Sequence, residues 1–264
     1  MLDQSLLPND ISLEKFQQLL SHYDPLIESI SLAKGGAKPG QKTLLELDHF
    51  RYHDTVTLFH SEKTKRSMKL DDVKVLVDWK LRHGKFRPTL MKLVSSNDEA
   101  LVERTIQEAM EGYWETRDVS QALNKITKLR GVGPATASLL LSVHDPSRVI
   151  FFSDEAFYWL CCDGQKSPIK YNAKEYQELN AAAQTLVKRL EVDATDVEKV
   201  AYVLMKEGIS ETQSMNGKQN TSASEVKAAQ ADPSKKVMKR KTNNSADNTD
   251  RQTHLRRSKR GKAS

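Results

Sequence analysis

Apolar residues recur at intervals of three and four through most of the first 208 positions and become sparse afterwards. In "SLEKFQQLLSHYDPLIESI", Leu13, Phe16, Leu19 and Leu20 share one helical face, and Pro25 is expected to break or kink the helix. "KGGAKPGQK" at 34–42 reads as a loop, whereas "TLLELDHFRYHDTVTLF" is compatible with helix or extended chain. "LDDVKVLVDWKLRHG" opens on carboxylates and closes at Gly84, as a helix complementing its own dipole does. Pro88 suits the first turn of "PTLMKLV", and Asn97 the cap of "DEALVERTIQEAMEG", which should stop at Gly112. Asp118 suits the cap of "VSQALNKITKL". Asn172 and Glu175 have capping-box spacing ahead of a long helix reaching about Leu190. Thr195 and Glu198 repeat that spacing before "VEKVAYVLMKEG", closed by Gly208. Only "RVIFF" at 148–152 reads as extended. The pattern predicts one all-α domain over residues 1–209.

The remainder, 210–264, is of another kind. From Glu211 onward the large apolar residues are only Met215, Val226, Val237, Met238 and Leu255. Such a stretch cannot bury enough surface to offset its ordering entropy, so a disordered tail is expected. It carries 13 Lys+Arg against 5 Asp+Glu, a net of +8 within a whole-chain charge of +6, which leaves the preceding residues at −2. Basicity is thus a property of the tail, and any polyanion-binding surface on the helical domain must be local. Two clusters, "KKVMKRK" at 235–241 and "RRSKRGK" at 256–262, read as nuclear import signals or nucleic-acid-binding arms, so an import receptor or nucleic acid is the tail's expected partner.

The two cysteines, Cys161 and Cys162, are neighbours; a bridge between them would be strained, and two thiols cannot hold an iron–sulfur cluster. Their use suits a reducing compartment. The opening "MLDQSLLPND" lacks the charged flank and apolar run of a signal peptide, and no apolar run reaches membrane-spanning length. Expected, then, are a monomer with no membrane association and a nuclear location. His49 and His53 have helical i, i+4 spacing but lack a carboxylate partner motif, so neither a metal nor a cofactor is expected.

Candidate chemistry begins at "KLRGVGPATASLLLSV", 128–143. Leu123, Ile126 and Leu129 form one apolar face, and Ala137, Leu140 and Leu141 the facing stripe. Between them, Gly131 and Gly133 permit positive φ and close backbone approach, while Val132 can fill the gap between the helices. Pro134 at the first helical position lacks only an N–H the helix would not use. The N–H groups freed there make a positive concavity suited to a phosphate oxygen. "LRGVGPATA" resembles the helix-hairpin-helix motif of DNA-binding proteins. The resemblance implies double-stranded DNA as partner, gripped at Lys128, Arg130, Gly131, Val132, Gly133, Ala135 and Thr136, largely through backbone and therefore with little regard to base sequence. An ordinary turn between two core helices is the plainer alternative.

"HDPSRVIFFSDEAFYWL" then places Asp154 at 21 residues beyond Gly133. Together with the flanking helices, this resembles the helix-hairpin-helix DNA glycosylase superfamily, whose fold is all-α and two-lobed; the likeness covers about Leu70 to Gly208. It implies a catalytic aspartate at Asp154, stabilising the oxocarbenium-like sugar and orienting water after the base has left the stack. Asp154 also stands where a helix N-cap is expected, so cap alone and cap plus catalyst are both open. Trp79, Tyr113, Trp114 and Phe152 are candidate pocket residues. "WKLRHGKFRPTLMK" at 79–92 is the strongest basic stretch of the domain, and either reaches phosphates or is a solvated helix end. Bifunctional members of the superfamily carry a lysine two residues after the second glycine. Ala135 stands there, and Lys128 lies on the wrong side of the turn, so lyase activity through this motif is not expected. The expectation is a monofunctional N-glycosylase-like protein, with a non-enzymatic DNA- or chromatin-binding module as the alternative.

Overall fold

Every strongly periodic stretch of the chain folds as helix, and no strand occurs among the described residues. The computed structural model describes residues 2–35, 40–60 and 66–217, with side chains as far as 207; these lie in one unit, Met1–Thr221. Residues 218–264, with both basic clusters of the tail, lie outside the described residues.

After a 3-10 turn at Gln4–Leu6, α1 (Leu13–Ser21) is capped by Ser12 and gives way at His22 to α2 (Tyr23–Ala33), with Pro25 in the first turn of the second helix. The ambiguous stretch is helical throughout. α3 (Leu44–His49) starts in a Thr43/Glu46 capping box and passes through a π-helical turn, Phe50–Asp54, into α4 (Thr55–Phe59). The π turn carries the fully buried Arg51, which donates to Ser142 at 2.7 Å and Glu198 at 3.3 Å. α5 (Leu70–His83) ends at Gly84 and is followed by α6 (Leu90–Ser95), α7 (Glu99–Thr116) and α8 (Val119–Ile126). The remaining helices are α9 (Pro134–Ser142), α10 (Asp154–Cys161), α11 (Ala173–Leu190) and α12 (Ala194–Gly217). No described helix is long and apolar enough to cross a membrane.

Several expected boundaries move. The cap of α7 is Asp98, whose carboxylate accepts from the Leu101 N–H; Asn97 is used elsewhere. α7 runs through Gly112 and stops at Arg117, which takes the left-handed conformation, φ 57°. Pro88 stands in a turn ahead of α6 rather than inside it. Thr195 and Glu198 do not form a capping box: α12 already begins at Ala194, and Glu198 is buried, accepting from Arg51, Tyr52 and the Phe151 N–H. Gly208 does not end α12, which continues to Gly217.

α9 runs through the core, with every side chain from Ala135 to Ser142 buried. That explains a helix with no polar face. "RVIFF" forms no strand; Val149 to Phe152 lie buried beside α9, where the Phe152 N–H donates to Ser138 Oγ at 2.9 Å. Burying each such aromatic or aliphatic side chain contributes about 1.5–3 kcal/mol. This packing leaves little freedom at either end of the segment, and the helix that follows it begins with Asp154.

Candidate functional site

α8 and α9 form a tight hairpin. The Leu129 N–H donates to Ile126 O and the Val132 N–H to Leu129 O, both at 3.1 Å. Gly131 has φ +76°, and a Cβ there would stand 2.8 Å from Leu93 Cβ and 3.0 Å from the Val94 nitrogen, so both conformation and space demand glycine. Gly133 differs. Its φ −93° and ψ −178° suit any residue, and an added Cβ would meet nothing within 4 Å. Asn97 clamps the turn from outside, accepting from the Arg130 N–H at 2.8 Å and donating to Arg130 O at 2.9 Å.

At the start of α9 the Thr136 and Ala137 N–H groups both donate to Gly133 O at 2.9 Å. Those of Gly131, Gly133 and Ala135 have no acceptor among the described residues. They collect at the positive end of a helix dipole, beside a glycine open to solvent. Lys128 and Arg130 are exposed on the same turn, whereas the side chains of Val132, Ala135 and Thr136 are buried. The last three can present only backbone to a ligand.

A cavity of about 270 Å³ opens beside this hairpin. Gly131, Gly133 and Ala135 line one side, and Asp154 another; Lys80, Lys85 and Arg87 contribute positive charge, and Phe151, Phe152 and Tyr171 aromatic surface. Ser153, not Asp154, caps α10, its hydroxyl accepting from the Ala156 N–H at 3.0 Å. Asp154 is therefore the first helical residue, with a carboxylate that capping does not consume. It accepts the Tyr171 hydroxyl proton at 2.6 Å. Burial, and then that carboxylate, hold the Tyr171 phenol well above its ordinary pKa, so it stays a donor. The Arg87 guanidinium lies 5.0 Å from the Tyr171 ring centroid, which ties the basic stretch to the same wall.

Lys80 reaches the cavity from α5. Its Nζ donates to Thr136 Oγ1 at 2.8 Å and lies 6.0 Å from the Phe151 ring centroid. Burial, and then the Arg87 charge, bring its pKa down to about 8 against the opposing charge of Asp154. His83, also on the wall, is stacked 4.5 Å from Trp79 and 3.9 Å from Tyr202 between ring centroids. Burial, then the charges of Lys206, Lys34 and Arg51, push its pKa well below the usual value, so the ring is neutral at pH 7. Glu155 pairs with Lys206 at 2.9 Å.

Of the four aromatic candidates, Phe152 alone lines this cavity. Trp79 is fully buried beneath it with its indole N–H on Asp48 at 2.8 Å; Tyr113 bonds Asp145 at 2.7 Å, and Trp114 borders a separate cleft. The stretch 79–92 is both a helix end over a buried tryptophan and a wall of the cavity. The His49 and His53 rings lie tilted to each other on the surface with centroids 4.8 Å apart, and no cluster able to hold a metal occurs among the described residues. Cys161 and Cys162 are free thiols, the former pushed up to about 12 by burial. Sequence reasoning missed Tyr171 and the inward course of Lys80. Neither carries a motif, although Lys80 lies within the basic stretch.

In chemical terms the cavity pairs a bare anion-accepting corner with a carboxylate, across a gap lined by flat apolar groups. No family model, curated protein or solved structure matches this chain.

Proposed function

We propose that this chain is a nuclear DNA-binding protein of the helix-hairpin-helix glycosylase type, releasing an altered base by hydrolysis with Asp154 as the catalytic carboxylate. One observation carries the reading: Asp154 and the hairpin glycines, the second of them 21 residues earlier in sequence, line a single cavity. In this reading a phosphate oxygen takes the N–H groups of Gly133 and Ala135, the flanking Lys128 and Arg130 add sequence-independent attraction, and the base enters the cavity against the aromatic wall to which Phe151, Phe152 and Tyr171 contribute. The carboxylate then faces the sugar as positive charge develops on C1′, and orients the water that replaces the base.

The Tyr171 hydroxyl bond and the capping by Ser153 support it, because the first orients the Asp154 carboxylate and the second frees it from capping α10. The basic tail clusters support the nuclear address. The test is release of free base from duplexes each carrying one altered base, with duplex binding measured in parallel. Binding without release from any of them would transfer the chain to the alternative class, a DNA-binding module that uses the hairpin alone.

A further inference from the structure

Base release leaves the amine of Lys80 without a task. A lysine of this kind ordinarily carries its charge out to water. Here the stem of a residue on α5 runs inward, and Nζ ends against Thr136 Oγ1 at 2.8 Å in the first turn of α9. No ion pair among the described residues involves it; Asp154 acts on it only at longer range. An ammonium held next to a helix N-terminus and near Arg87 is electrostatically disfavoured, and both effects raise the neutral fraction. With a pKa of about 8, roughly a tenth of the amine is neutral at pH 7, far more than for an ordinary lysine. Such amines attack carbonyl carbons.

We propose that Lys80 is a nucleophile toward the aldehyde of a ring-opened abasic deoxyribose, which makes the protein a strand-cleaving lyase at abasic sites. The absence of a lysine at Ala135 excludes only an amine carried by the hairpin; α5 delivers one from across the turn, bonded to the very next residue. The neutral Nζ adds to C1′, forming a C–N bond; the carbonyl oxygen takes one proton from the amine and a second from solvent, and the C1′–O bond breaks as water departs, leaving a protonated imine. The imine acidifies C2′. Its proton passes to the Asp154 carboxylate, the C3′–O bond breaks, and the 3′ phosphate leaves with the electron pair. Water then hydrolyses the imine, returning Lys80 and an unsaturated aldehyde on the 5′ fragment. No oxidant, reductant or metal is consumed.

This rests on the cavity being a DNA site, and the test separates the two ideas. The full chain is mixed with a duplex carrying a preformed abasic site and reduced with borohydride, while binding to the same duplex is measured by mobility shift. The expected result is a covalent protein–DNA adduct that peptide mass spectrometry maps to Lys80, falling at least a hundredfold in Lys80→Arg, which keeps charge and stem. Mapping on the wild-type chain stands even if that variant folds poorly. Trapping should rise as pH rises through about 8, since the groups facing the amine include Arg87, Lys85, Asp154, Glu155, His83 and Tyr171 but the reactive form is the neutral amine. A bound duplex with no adduct, or with an adduct at another amine, overturns the lyase alone. No binding overturns the DNA reading with it.

Discussion

The Tyr171 hydroxyl donates to Asp154 Oδ1 at 2.6 Å, joining the first residue of α10 to the loop that precedes α11. Tyr171 holds a left-handed conformation, φ 55°, so this loop is set at some conformational cost to bring the phenol to the carboxylate. The other carboxylate oxygen has no donor among the described residues and remains available to water or sugar. Tyr171→Phe removes the orienting bond and nothing else of that ring. Base release should slow about tenfold in kcat with KM little changed, the kinetic pattern of a lost transition-state interaction worth about 1.4 kcal/mol. A change confined to KM would assign Tyr171 to substrate binding.

The two hairpin glycines should respond to substitution in opposite ways. Gly131→Ala forces a side chain into a left-handed position and against Leu93, and should cost about 2–4 kcal/mol in urea denaturation. Gly133→Val fits the observed backbone and meets open space, so stability should change by about 0.5 kcal/mol or less. Its isopropyl group would stand in front of the unpaired N–H groups, and duplex affinity should fall about tenfold or more. Full affinity in a stable Gly133→Val protein would show that the corner does not touch DNA.

Phe86 is 70 % exposed and stands between Lys85 and Arg87, both on the cavity wall. An exposed aromatic there is placed to wedge into the stack when a base leaves it. Phe86→Ala should cut base eversion about tenfold, read as the fluorescence of 2-aminopurine beside the lesion, while affinity for intact duplex changes less than threefold. An unchanged fluorescence response would remove Phe86 from base extrusion.

Much of this architecture is legible in the sequence because it depends on local rules. The hairpin, the start of α11 at Asn172 and the end of α5 at Gly84 each follow from caps, turn residues and apolar spacing within a few positions. Where local signals compete, tertiary demand decides. Asn97 and Asp98 are both good caps, and Asp98 takes the helix because Asn97 is needed to bracket Arg130. Glu198 looks like the acid of a capping box until Arg51 arrives from the π turn, a partner 147 residues away that no local pattern announces. The cavity divides along the same line. Gly131, Gly133 and Asp154 stand out by spacing, but Lys80 and Tyr171 join them only through the packing of α5 and of the loop before α11 against α9.

The most direct test of the central claim compares single-turnover base release by the wild-type chain and by Asp154→Asn on a duplex that both bind. Ser153 caps α10 in either protein, so the fold and the duplex affinity should be retained. The expected outcome is free base from the wild type and a rate lower by about a thousandfold in the variant. Release that proceeds equally well in Asp154→Asn would contradict the account.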